Sequence, residues 1–114
     1  MNSPKDALIC DANHPLISQC LREEILLYHI DTQGEAILRE SFERLSGKSI
    51  STDHDLSELS GGQKVLLMLC LALLSPARSI VFKDLRHSLD AHRWEHAQRM
   101  ISESDKDITL GCDA

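Results

Sequence analysis

The ten residues from Val65 to Leu74 carry no charged side chain and only the weakly polar Cys70, and this run constrains the fold more than any other feature. It is about half the length needed to span a membrane, so it belongs inside a folded domain. Ser60-Gly61-Gly62-Gln63 in front of it has the form of a capping box, and Pro76 behind it cannot continue a helix. The segment therefore predicts a helix from Ser60 to about Ser75. A helix that is apolar all round must be covered on every side, either at the centre of a core or against a partner chain.

The flanking residues supply the rest of an α/β domain. Ala7 to Cys10 and Ser79 to Phe82 are short apolar runs that predict buried strands, and Ile108 to Leu110 predicts a third. After Pro15, Ile17, Leu21, Ile25 and Tyr28 recur at helical spacing and predict a first helix. Thr32-Gln33-Gly34-Glu35 reads as a second capping box, with Ile37, Leu38, Ser41, Phe42 and Leu45 on one helical stripe and Gly47 ending it. Lys48 to Ser57 reads as a polar loop. Asp90 is a suitable N-cap for a last helix with Ala91, Trp94, Ala97 and Ile101 on its inner face and Glu95 and Arg99 paired outside. Strands separated by helical crossovers predict a small parallel sheet.

The 114 residues fit one small domain, and a net charge of −6 argues against a broad basic face for nucleic acid. Cys10, Cys20, Cys70 and Cys112 form no CxxC pair and sit mostly in apolar segments, which fits a reducing compartment. The first residues lack the layout of a signal peptide, so the expectation is a cytoplasmic protein with no membrane insertion.

Leu59-Ser60-Gly61-Gly62-Gln63 is the most specific string. Two glycines allow close backbone approach to an anion, the Ser60 hydroxyl can donate a hydrogen bond, and the helix behind them directs its positive end to the same point. The string resembles the signature motif of the ABC ATPase superfamily. Twenty residues past Gln63, where that family places its Walker B aspartate after an apolar strand, stand Lys83 and then Asp84; Ser88-Leu89-Asp90 falls on the D-loop. Gly111-Cys112-Asp113 resembles the switch loop, and Ala12-Asn13-His14-Pro15 the Q-loop. The apolar signature helix is more similar to the SMC and DNA-repair branch than to transporters.

The resemblance implies a partial P-loop NTPase fold in a single domain over 1–114. Residues 1–58 would form the Q-loop-like strand and helical subdomain, and residues 59–114 the signature helix, Walker B-like strand, D-loop and switch-like end. It also implies departures from the family. ATP hydrolysis needs a Gly-rich loop with a lysine, which in this family lies well upstream of the signature, and the 114 residues hold none. Gly47-Lys48-Ser49 reads instead as a helix C-cap and a solvated loop. Lys83 replaces the acidic residue that supports the metal, Asp84 at the general-base position is one methylene shorter than glutamate, Cys112 replaces the switch histidine, and Asn13 stands for the Q-loop glutamine. An alternative register makes Asp84 the Walker B aspartate and Leu85 the replacement for the base.

The resemblance thus implies a chain with no cofactor and no catalysis of its own. Ser60, Gly61, Gly62, Gln63 and Asp90 would meet Mg-ATP held by a partner, either a second copy or a complete ABC-type ATPase subunit. A purely structural assembly protein is the alternative: in this family the phosphate-loop strand is expected between the Walker B and switch strands, and its loss would leave apolar surface to cover. A third reading, an ATPase built on Gly47 to Ser49, is the least supported. His92 and His96 lie four apart on one helix with no third ligand in sequence, and read as exposed polar positions, while Trp94 reads as core.

Overall fold

The computed structural model describes residues 7–111. Three parallel strands, β1 (Leu8–Asp11), β2 (Ser79–Lys83) and β3 (Asp107–Gly111), form one sheet in the order β1-β2-β3. Four helices accompany them: α1 (Leu21–Leu27), α2 (Thr32–Ser46), α3 (Gly61–Leu74) and α4 (Ala91–Glu103). The architecture is the small α/β parallel sheet that the sequence predicts.

Helix α3 is the hub. Its residues Val65 to Ala72 are all buried, and α2, α4 and β1 pack on it. Of the two ways to cover a helix that is apolar all round, the molecule uses the first, placing it in its own core. Burying a leucine side chain contributes about 1.5–3 kcal/mol, so this helix is a major source of stability. Leu21, Ile25, Leu38 and Phe42 from α1 and α2 complete the same core with Ile80 and Phe82 of β2.

Both crossovers run onward in the same direction across the sheet, and the right-handed rule then puts their helices on one face. The burial agrees. Ile80 and Phe82, pointing to the helices, are fully buried, whereas Val81 on the opposite face is only half-buried and its register partner Ile9 is 63% exposed. Among the described residues the sheet has one covered and one bare face.

Several expectations need correction. No gap separates the Walker B-like and switch-like strands: β2 and β3 are directly paired over five positions, from Ser79 with Asp107 to Lys83 with Gly111, because α4 returns the chain to the adjacent edge. Helix α1 begins at Leu21, later than the stripe after Pro15 suggested, and Ile17 is 77% exposed. The Glu24 carboxylate accepts the backbone N–H groups of Ile17 at 3.2 Å and Ser18 at 2.9 Å, while Cys20 bridges Asp55, which holds this stretch out of a helix. Helix α2 is capped by Asp31, which accepts from Gly34 N at 2.7 Å, so Thr32 is its first residue rather than its cap. The segment from Lys48 onward is tied inward by buried Ile50 and Leu56. Glu95 and Arg99 do not pair; the ion pair on α4 is Asp90 with Arg93. Trp94 is half-buried beneath the Arg86 guanidinium, 5.9 Å from its ring centre.

Candidate functional site

Helix α3 opens with the reciprocal box its sequence predicts. Ser60 Oγ accepts from Gln63 N at 3.2 Å, and Gln63 Oε1 accepts from Ser60 N at 2.9 Å. Lys64 N already donates to Ser60 O. Among the described residues the first-turn N–H groups without a partner are those of Gly61 and Gly62, and the box engages acceptors only, so the Ser60 hydroxyl proton and the Gln63 amide remain able to donate. Ser60 and Gly61 are exposed, and a side chain built at Gly61 would meet nothing within 4 Å. This end of α3 is thus a cluster of unfilled donors on the positive pole of a fourteen-residue helix.

Asp90 caps α4. Its Oδ1 accepts from Arg93 N at 2.8 Å and its Oδ2 pairs with Arg93 Nη1 at 3.2 Å. That same Nη1 lies 3.0 Å from where a β-carbon on Gly62 would sit. Arg93 therefore joins the D-loop-like aspartate to the signature-like helix. Sequence reasoning missed Arg93; the available signal was its place three residues after an N-cap aspartate.

The second cluster lies at the carboxyl ends of the strands, where ligands bind in open α/β sheets. Asp84 follows β2 with φ of 56°, a left-handed conformation uncommon outside glycine. Its N–H donates to Gly111 O at 2.9 Å, and its carbonyl accepts from Ser88 Oγ at 2.9 Å. Asn13, after β1, donates through Nδ2 to Asp84 Oδ2 at 2.9 Å. The residues aligned with the Q-loop and the general base are brought together from 71 positions apart. Lys83 ends β2 beside its register partner Asp11. Cys112 and Asp113, aligned with the switch loop, lie outside the described residues.

Gly47, Lys48 and Ser49 follow the carboxyl end of α2. Gly47 has φ of 74° and its N–H bonds to Glu43 O at 2.8 Å. A helix C-terminus presents carbonyls, the wrong pole for a phosphate. His92 and His96 pack edge to face with centres 4.7 Å apart, and among the described residues no group of three metal-ligating side chains forms.

The fold resembles part of the fold of solved ABC-type ATP-binding proteins. No family model matches the chain, and none of the curated proteins does. Solved structures do. A candidate cobalt transport ATP-binding protein superposes with a TM-score of 0.64 at 23% identity, over 90% of this chain and 41% of the other. A candidate ABC transporter ATP-binding protein from Pyrococcus furiosus gives a TM-score of 0.62 at 16% identity, over 93% of this chain and 57% of the other. The chain spans well under two thirds of either. Among the described residues no helix is long and apolar enough to cross a membrane.

Proposed function

We propose that this chain is a degenerate ABC ATPase-like module that offers its signature helix to ATP held by a partner and does not hydrolyse ATP unaided. The observation that carries the reading is the start of α3, where among the described residues the Gly61 and Gly62 N–H groups have no partner and open space lies beside Gly61, with Arg93 beside Gly62. Ser60, Gly61, Gly62 and Gln63 would meet the terminal phosphate, and Asp90 would support the interface through Arg93. Lys83 in place of the metal-supporting acid, and a helix C-cap at Gly47, both weigh against an ATPase built from these residues. The apolar character of α3 follows from its central place in this core, so it lends no weight to either branch of the superfamily.

The test adds the chain to a complete ABC-type ATPase subunit from the same cell and follows phosphate release. Stimulation is expected from the native chain and none from Ser60→Arg, which sets a large side chain where the phosphate approaches. Equal stimulation by Ser60→Arg would sink the reading. So would tight binding of Mg-ATP by the chain on its own that is lost in Lys48→Ala.

A purely structural assembly role is the second reading, favoured by the bare face of the sheet with exposed Ile9. Parallel sheets are ordinarily covered on both faces, and a second copy is one cover. A sedimentation experiment that finds only monomer at high concentration counts against it.

A further inference from the structure

We propose that a cleft between α2 and α4, away from the start of α3, is a binding site for small oxyanions, that is, for a phosphoryl or carboxylate group. The cleft has a volume of about 290 Å³ and is lined by Ser41 and Arg44 of α2 and by His96, Arg99 and Glu103 of α4. Leu45 and Met100 give it an apolar wall.

Three observations carry the assignment. Ser41 is only 9% exposed, lines the cleft, and has no side-chain hydrogen-bond partner among the described residues. Its hydroxyl is not sealed from solvent, so it opens to the cleft and can donate to a ligand there. Arg44 and Arg99 come from different helices, and neither guanidinium forms an ion pair or side-chain hydrogen bond among the described residues. Five fixed donors in a planar fork suit a two-oxygen acceptor, and one such fork from each helix lines this cleft. Finally, two arginines outweigh the one glutamate in the lining, in a chain whose net charge is −6. The volume admits a small molecule, and the apolar wall suits an anion with a short carbon skeleton.

The experiment is an amide NMR titration of the full chain, with inorganic phosphate in one arm and succinate in the other, at constant ionic strength set with sodium chloride. Saturable shifts at residues 41–45 and 96–103 are expected, and the arm that saturates at lower concentration identifies the preferred group. Arg44→Ala and Arg99→Ala, both at exposed positions, should each weaken binding roughly tenfold. Ser41→Ala should weaken it several-fold with the spectrum otherwise unchanged. The proposal is overturned if shifts grow linearly without saturation in both arms. It is also overturned if they centre on residues 60–64, or if both arginine variants bind as the native chain does. Saturation at residues 41–45 and 96–103, or its absence there, is read independently of whether α3 meets ATP.

Discussion

The Asn13 side-chain amide donates to Asp84 Oδ2 across 2.9 Å, tying the loop after β1 to a residue held at φ of 56° after β2. Asparagine and aspartate tolerate the left-handed region because their short polar side chains bond locally, whereas a β-branched residue does not. Asp84→Asn is therefore expected to change stability by no more than about 0.5 kcal/mol, since it keeps an acceptor for Asn13. Asp84→Val should cost about 1–3 kcal/mol. Urea unfolding with unchanged slope measures both, and equal midpoints for the two variants would mean that the left-handed turn is not held in solution.

Gly62 and Arg93 form a second pair open to measurement. A β-carbon at Gly62 would lie 3.0 Å from Arg93 Nη1, the far end of a flexible side chain, so the arginine can move aside. Gly→Ala within a helix gains up to about 1 kcal/mol, less the cost of displacing Arg93 from Asp90. Gly62→Ala should be near neutral in the native background and more stabilising in Arg93→Ala. A double-mutant cycle on thermal unfolding reads the difference, and a coupling of zero would mean that Arg93 does not rest on Gly62.

These two relationships also mark where the sequence was legible. Helix α3 could be read because its cap, its apolar run and its stop lie within seventeen consecutive residues, Ser60 to Pro76, and all agree. Asp90 as a cap and Gly47 as a left-handed stop were equally local. The start of α1 was not, because a side chain within the helix, Glu24, captures the N–H groups that a further turn would have needed. The direct pairing of β2 with β3 and the approach of Arg93 to Gly62 are matters of tertiary packing, and no residue pattern in either partner records them. The cleft at Ser41 was hidden for the same reason: α2 and α4 are far apart in sequence, and neither helix by itself records that the other lies beside it.

Thiol chemistry separates the cysteines. Burial pushes the Cys70 thiol up to about 12 and that of Cys10 up to about 11, the latter partly offset by its contact with the Tyr28 hydroxyl at 3.9 Å. At pH 8 a thiol with that value near 11 is ionised in about one molecule per thousand, and the thiolate is the reactive form. Cys20 is half-exposed. In a Cys112→Ser background, alkylation of the native protein at pH 8 should modify Cys20 first and leave Cys10 and Cys70 protected until denaturant is added. Mass mapping that finds Cys10 or Cys70 modified as fast as Cys20 would contradict the described core.

Glu24 gives the fold a pH dependence of unusual sign. Its side chain is fully covered, and burial raises its pKa; the N–H groups of Ile17 and Ser18 oppose the rise, while the neighbouring Glu23 adds to it. The unfolded value is about 4.3, so over the window from there up to the folded value the native state keeps a proton that the unfolded chain has released. Stability from this group is present below that window and is lost as pH rises through it, the opposite of a salt-bridged carboxylate. Glu24→Gln retains one oxygen for one N–H and turns an amide towards the other, a cost of about 1–3 kcal/mol that does not vary with pH. The native chain's advantage over Glu24→Gln, from denaturant unfolding at a series of pH values, should therefore shrink as pH rises above about 4.3. An advantage that grows with pH would show that the two backbone donors outweigh burial and that Glu24 is held as a stabilised carboxylate.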